Sequence, residues 1–379
     1  MRTNAVVAHG GGPTAVINAS LAGLIEECRR CGWSLYGARY GLAGLVRGDL
    51  VDLLAVDADL VRQIGESPGS ALGSSRLPLA DDDYARLLDV FRRAEVHTFF
   101  YTGGNGSMDT ALRIARYARG GHDDLQVIGI PKTIDNDLCV TDHTPGYAST
   151  ARFSACAARD VGEDNRSLPS PVCVLETLGR NAGWIVAATS LARHGEDDAP
   201  HLIYFPERRL SLDRIAADVE SVYRRLGRAV VAVCEGQLDD GGRPFGADVD
   251  RAESQAHRLA SNLGHTLARL LSEKLGIRAR AEKPGLLGRC CGPFATPLDR
   301  REAFACGRAA ALAAGEGHTD VMVALRRDSS TFLTPLETVA RMERLLPADW
   351  IHPEGNDVLP AFREYAAPLV GEVAGWARL

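Results

Sequence analysis

The chain has 379 residues, 45% of them hydrophobic, enough to bury a full core, and two lobes are the natural expectation. A formal net charge of −6 excludes a broad basic face for nucleic acid and leaves positive charge to local sites. No run approaches the about 18 apolar residues of a membrane span, and Met1-Arg2-Thr3-Asn4 leads into a strand pattern without a signal peptide, so a cytoplasmic location is expected.

Ala5-Val6-Val7-Ala8 reads as a short buried strand, His9-Gly10-Gly11-Gly12-Pro13-Thr14 as a loop, and Val16 to Cys28 as a helix with apolar residues at Val16, Ile17, Leu21, Leu24 and Ile25. Strand, glycine loop and helix N-terminus make an anion site, because glycines let backbone N–H groups approach phosphate oxygens. A second copy follows: strand Thr98-Phe99-Phe100-Tyr101, loop Gly103-Gly104-Asn105-Gly106-Ser107, and helix Met108 to Tyr117. Neither loop carries the residues of a Walker-type or dinucleotide fingerprint.

A third apolar run, Val127-Ile128-Gly129-Ile130, precedes Pro131-Lys132-Thr133-Ile134-Asp135-Asn136-Asp137. Two carboxylates two residues apart, with a hydroxyl and a lysine just upstream, suit phosphoryl transfer. One carboxylate can take a proton from an attacking hydroxyl, the cation can hold phosphate oxygens, and the second carboxylate can orient a metal or the first acid. An Asx-rich turn after a strand is the bland alternative. Two glycine loops and the Asp pair, all at carboxyl ends of strands, would converge on one crevice.

Further apolar runs at 172–175, 202–205, 230–233 and 321–325 add strands, separated by helical patterns that include a long one from Glu253 to Lys274. This alternation predicts an α/β protein of two lobes with mainly parallel sheets flanked by helices. Without low-complexity linkers, the lobes must exchange chain segments. Nine cysteines at scattered positions argue against a disulfide framework, and Cys28-Arg29-Arg30-Cys31, lacking a partner pair for zinc, reads as structural. His9 and His143 flank the loops and read as hydrogen-bonded structural histidines. The Arg224-Arg225-Leu226-Gly227-Arg228 run reads as solvated surface.

In order along the chain, Gly11 to Asn18, Gly103 to Ser107 and Pro131 to Asp137 resemble three signature blocks of phosphofructokinases. Thr141 to Tyr147 is similar to the family's T-D-x-T-x-G-aromatic segment, Glu176 to Trp184 to its E-x-M-G-R block, and Cys234-Glu235-Gly236 to its substrate-binding turn. Arg280 to Arg289, with Asp299-Arg300, parallels its late arginine block. The resemblance runs from about residue 4 to residue 310. It implies Asp135 as the base for a sugar C1 hydroxyl, Asp137 as the acid supporting metal and substrate, and Thr133 and Lys132 beside the transferring phosphoryl group. Gly12, Arg76, Gly104, Gly106 and Ser107 match donor-phosphate positions. Leu178, Gly179, Arg180 and Glu235 match sugar positions, and Arg280 and Arg289 match cations on the sugar phosphates. Mg²⁺ is the implied cofactor, with Asn105 and Asp137 as its protein ligands, although asparagine replaces the aspartate of ATP-using members. A donor lobe of 1–147 and 272–303, a sugar lobe of 148–271 and 304–379, and a homodimer or homotetramer are also implied.

The resemblance leaves the donor open between ATP and pyrophosphate. Pyrophosphate users carry Asp where this chain has Gly106, and its absence leaves room for an α-phosphate, which favours ATP. Lys132 and Pro13 lean towards pyrophosphate. The acceptor pocket departs from the family at Pro171, Leu286 and Gly288, where phosphate contacts are missing. Fructose 6-phosphate is therefore the first expectation, with another phosphosugar such as sedoheptulose 7-phosphate, or a non-catalytic regulatory subunit, as alternatives.

Overall fold

The computed structural model describes residues 4–168, 171–243, 245 and 262–378. Among these, eleven strands form: β1 (Asn4–His9), β2 (Ser34–Ala38), β3 (Leu50–Asp52), β4 (Val96–Gly103), β5 (Gln126–Pro131), β6 (Val172–Thr177), β7 (Leu202–Tyr204), β8 (Ala229–Cys234), β9 (Ala279–Glu282), β10 (Val321–Leu325) and β11 (Thr331–Pro335). Seven make a sheet of order β11-β10-β5-β4-β1-β2-β3, and four make a second of order β7-β8-β6-β9. All neighbours are parallel except β10 with β11 and β2 with β3. The central strands are unbroken apolar runs because helices cover both of their faces; every residue of β6 and β8 is buried.

The chain divides into two units, Met1–Tyr147 with Arg289–Arg344 and Ala148–Gly288 with Leu345–Leu379. The first holds the seven-stranded sheet between two apolar layers. One is built on Leu87, Phe91, Phe99 and Met108, the other on Leu21, Leu24, Ile25, Ile128 and Ala310. The second unit packs Val174, Val231, Ile215 and Leu267 around the four-stranded sheet.

Segment exchange differs from the expected boundaries. Residues 272–288 stay in the second unit because β9 pairs with β6, from Val172↔Ala279 to Leu175↔Glu282. Residues 304–344 join the first because β10 pairs with β5 and the helix Pro297–Gly315 packs on the helix Ile17–Arg30. The helix expected over Glu253–Lys274 is observed as Leu263–Leu275, and 253–261 lie outside the described residues. No helix among the described residues is long and apolar enough to cross a membrane.

Candidate active site

Strand register brings the three N-terminal loops to one sheet edge. His9 pairs with Thr102, Thr102 with Ile130, and Gly103 with Pro131, so the loops after β1, β4 and β5 leave side by side. From β1 the chain moves to β2 and β3 on one side and to β4 and β5 on the other. That reversal is where open α/β sheets bind ligands.

The helix after β4 starts earlier than its apolar period indicates, spanning Asn105–Gly120 with Gly104 as its N-cap. Asn105, Gly106 and Ser107 therefore occupy its first turn, at the positive end of the helix dipole, where the Ser107 N–H donates to Gly104 O at 2.9 Å. A β-carbon on Gly103 would overlap the Ser107 side chain, so only glycine permits this approach. Ser107 Oγ in turn bonds the buried Tyr101 hydroxyl, whose ionisation burial pushes up to about 12. The first glycine loop is braced from 74–75: Gly11 N–H donates to Ser75 O at 3.0 Å and Ser74 Oγ to Gly11 O at 2.7 Å.

Lys132, 4% exposed, reaches back and donates from Nζ to Gly12 O at 2.6 Å. Burial lowers its pKa to about 8; Asp135 and Asp137 oppose that shift, while Arg289 and Arg76 reinforce it. Three cations thus gather at the glycine loop. Arg289 is also at this loop: a β-carbon on Gly12 would lie 2.8 Å from its Nη1. Thr133 Oγ1 accepts from the Asp135 N–H at 3.1 Å, and Thr144 Oγ1 donates to Thr133 O at 2.9 Å. These bonds fix the turn that presents the acid pair.

Asn105 Nδ2 donates to Asp137 Oδ2 at 2.9 Å and contacts Asp137 O at 3.2 Å. Burial raises the Asp137 pKa, bonds from Thr133 and Asn105 lower it, and the nearby Glu343 raises it. Asn105 Oδ1 and Asp137 Oδ1 are both buried without a hydrogen-bond partner among the described residues. Two orphaned oxygens on adjacent side chains fit Mg²⁺, which usually takes one or two protein oxygens and completes its shell with water and substrate phosphates. No group of three or more His, Cys, Asp or Glu suited to a metal occurs among the described residues.

Both flanking histidines have protein partners. His9 Nδ1 lies 2.8 Å from Ser70 Oγ, which itself donates to Gly73 O, so His9 carries its proton on Nδ1. Burial and the positive Lys132 hold its pKa down at about 3. His143 sits between Asp142 and Glu302, each 2.9 Å away. Cys28 is buried in the core and Cys31 exposed. Arg224 and Arg225 make surface ion pairs with Glu220 and Asp197.

The second unit repeats the arrangement. Thr177 pairs with Cys234, so the loops after β6 and β8 leave the same edge at another reversal of strand order. Glu235 N–H donates to Thr177 O at 3.0 Å, and the Glu235 carboxylate accepts from the Arg180 N–H. Burial raises the Glu235 pKa, as does the neighbouring Glu176. Cys234 Sγ contacts the carbonyls of Leu178 and Arg180 at 3.9 and 3.6 Å. Leu178, Gly179, Arg180 and Glu235 are therefore together.

Arg280 is not with them. It lies on β9 opposite Cys173, near the start of β6, and pairs with Asp164. Four residues of β6 separate that position from the carboxyl edge, about 13 Å. Lys283, further along than Arg280, is a cation nearer this edge, 2.7 Å from the buried Glu176. With Thr177, Leu178, Phe153 and Gly288, Glu176 lines a small cavity. Gly288 is close enough to Phe153 that a β-carbon would lie 2.8 Å from its ring. The sequence did not signal Glu176 as an anchor, since its burial depends on Gly264 N–H, 88 residues away, donating at 2.7 Å.

The family model "Phosphofructokinase" matches residues 4–314. A Rhodospirillum rubrum protein named pyrophosphate–fructose 6-phosphate 1-phosphotransferase is 40% identical over 97% of this chain and 94% of its own length. A protein of the same name from Halomonas elongata is 35% identical over 97% of this chain and 91% of its own. The crystal structure of a pyrophosphate-dependent phosphofructokinase from Nitrosospira multiformis superposes with a TM-score of 0.88 at 32% identity, covering 99% of this chain and 94% of that one. With a family match over most of its length and relatives of this similarity end to end, the chain belongs to the phosphofructokinase family.

Proposed function

We propose that this protein moves the terminal phosphoryl group of pyrophosphate to the C1 hydroxyl of fructose 6-phosphate. The observation that carries the reading is the buried Lys132, bonded to the Gly12 carbonyl with Arg76 and Arg289 beside it, on the edge that also presents Asp135 and Asp137. Lys132, Arg76 and Arg289, with Gly104 at the helix N-cap and Gly106 and Ser107 in its first turn, bind the donor phosphates. Asp135 takes the C1 hydroxyl proton as that oxygen bonds to the terminal phosphorus. The bridging P–O bond breaks, and inorganic phosphate leaves. Thr133 orients Asp135, and positioning with charge neutralisation does most of the work. Asn105 and Asp137 would hold Mg²⁺, which supplies charge neutralisation on the phosphate oxygens when bound. Leu178, Gly179, Arg180 and Glu235 hold the sugar, and Lys283 takes the role expected of Arg280. We further propose a homodimer or homotetramer in the cytoplasm.

A second reading keeps the chemistry with ATP as donor. Gly106 favours it, since a β-carbon there would meet nothing within 4 Å. The test is turnover by purified protein with Mg²⁺, offering pyrophosphate or ATP against fructose 6-phosphate or sedoheptulose 7-phosphate. Turnover with pyrophosphate and fructose 6-phosphate is expected. Turnover with ATP alone would overturn the donor assignment, and turnover with sedoheptulose 7-phosphate alone the acceptor. Asp135→Asn should lower kcat by about 10²–10⁴-fold while sparing donor binding. Unchanged turnover would remove Asp135 from its role.

A further inference from the structure

Neither Gly10 nor Gly103 has a left-handed φ, so backbone conformation does not explain why both are glycine. Space does. A β-carbon on Gly10 would lie 2.4 Å from Ser107 Oγ and 2.5 Å from the Tyr101 hydroxyl oxygen, and one on Gly103 would lie 2.1 Å from Ser107 Oγ. The volume beside both glycines is therefore filled by one pair of hydroxyls, bonded to each other. The β-carbon position of Gly103 also lies 3.3 Å from Gly10 O, so the two loops run against each other here. Tyr101 rises from β4 between Ala8 of β1 and Gly129 of β5, with its ring in the apolar layer of Phe99 and Met108. Its hydroxyl is the polar end of that layer and meets Ser107 in the first turn of the helix Asn105–Gly120. Burial holds the phenol pKa at about 12, so it stays a neutral hydroxyl at any working pH. The backbone bonds of the loops run to other segments: Gly11 N–H donates to Ser75 O, and Lys132 N–H to Gly103 O, both at 3.0 Å.

We propose that Tyr101 is a positioning residue for the phosphoryl donor: its hydroxyl, bonded to Ser107 beside Gly10 and Gly103, sets the spacing of the two glycine loops that hold the donor phosphates. This rests on the reading of those loops as the donor site. Tyr101 acts through Ser107 and touches no reacting atom. Without the phenol oxygen, Ser107 Oγ loses a buried partner and its side chain is released to other rotamers. The glycines it packs against have no side chains to hold their loops, and their backbone is the most permissive of any residue. Loop spacing then drifts, and groups that bind a reactant lose about 10²-fold in rate for each ångström of misplacement. The acid pair is braced separately, by Thr144 Oγ1 on Thr133 O and by the Asp135 N–H on Thr133 Oγ1. Leu178, Gly179, Arg180 and Glu235 are set by the register of β6 with β8 in the other unit. Loss of the hydroxyl therefore falls on the donor and spares the sugar.

The experiment compares wild type, Tyr101→Phe, Ser107→Ala and the double variant, with KM for pyrophosphate and for fructose 6-phosphate measured separately. Tyr101→Phe keeps the ring and removes the phenol oxygen alone. Donor KM should rise by about tenfold while sugar KM stays within about twofold of wild type. The double variant should be within about twofold of the worse single variant, because both substitutions break the same bond. A Tyr101→Phe donor KM within about twofold of wild type, beside an impaired Ser107→Ala, overturns the proposal. So do fold-changes that multiply in the double variant, or equal rises in both KM values. A Tyr101→Phe chain that no longer melts cooperatively also overturns it, since the hydroxyl would then serve the fold. Failure of the donor-site reading shows separately, as wild-type donor KM in Ser107→Ala. Failure of the pyrophosphate reading shows as wild-type turnover with ATP alone, and the same comparison is then made with the KM for ATP.

Discussion

A lysine 4% exposed to water is held at the donor loop against the solvation preference of its own charge. Burial carries the Lys132 pKa from 10.5 down to about 8. Between those two values the unfolded chain binds a proton that the folded chain has released, so stability rises with pH across that window. Below about 8 the buried charge costs about 3 kcal/mol. Lys132→Met should therefore raise the urea midpoint at pH 7, by about 1–3 kcal/mol in unfolding free energy, the upper figure reduced by loss of the bond to Gly12 O. The same variant should lose donor kcat/KM by at least about 10²-fold, since a charge-assisted phosphate contact disappears. In wild type, donor kcat/KM should fall as pH rises through about 8, and the residual activity of the variant should show no such limb. A variant less stable than wild type at pH 7 would contradict the assignment of burial as the dominant cost. At this scale the sequence was informative where chemistry and chain proximity coincide: Lys132, Thr133, Asp135 and Asp137 lie within six residues on one turn. Glu176 was legible only as part of a motif block, because the Gly264 N–H that holds its carboxylate lies 88 residues away in sequence.

Elements hold these residues in place, and the helix Pro297–Gly315 carries much of that burden. Asp299 in its first turn accepts the Gly146 N–H at 2.8 Å, and Glu302 one turn later takes His143 Nε2. Glu302 Oε1 also accepts from Ser329 Oγ in the β10–β11 turn, at 2.5 Å. Burial alone would lower the His143 pKa, but Asp142 and Glu302 together outweigh it and raise the value from 6.5 to about 9. A raised value means that the stabilisation is complete below pH 6.5 and is lost as pH rises through about 9. His143→Gln should lower unfolding free energy at pH 6 by about 2–3 kcal/mol, and the gap to wild type should shrink by pH 9.5. Denaturant titrations at the two pH values measure this; a gap independent of pH would show that His143 acts by packing alone. Strand positions were legible because parallel strands buried on both faces are unbroken apolar runs, as in Val127 to Ile130. The start of the helix Asn105–Gly120 was less so, since its first turn faces the site with polar and glycine residues and carries no apolar period. Arg289 reads in the sequence with the sugar-phosphate cations, and its closeness to Gly12, far earlier in the chain, appears only in the fold.

At the scale of the molecule, the first unit is not contiguous in sequence, and this has a consequence for folding. The helices Ile17–Arg30 and Pro297–Gly315 cross so closely that a β-carbon on Gly23 would overlap the Phe304 carbonyl oxygen, and one on Gly307 that of Ser20. Leu21, Leu24, Ile25, Ile128 and Ile130 share one apolar layer with Cys306, Ala310, Ala313, Val323 and Leu325 from the later segment. Residues 1–147 alone would expose that layer, and β5 would become an edge with unpaired N–H and C=O groups where β10 now pairs. A lone strand–helix pattern therefore identifies the lobe but not the chain that completes it. Expressed alone, 1–147 should bind a hydrophobic dye, lack near-ultraviolet dichroism and melt without a cooperative transition. Joined to 289–344 through about 20 glycine and serine residues, it should regain the near-ultraviolet signal and a cooperative melt, because the linker restores the missing helix and strands at small entropic cost. Cooperative melting of 1–147 by itself would mean that β1, β2, β4 and β5 with their own helices bury enough surface to stand alone. The later segment would then serve the site, through Arg289, rather than the fold.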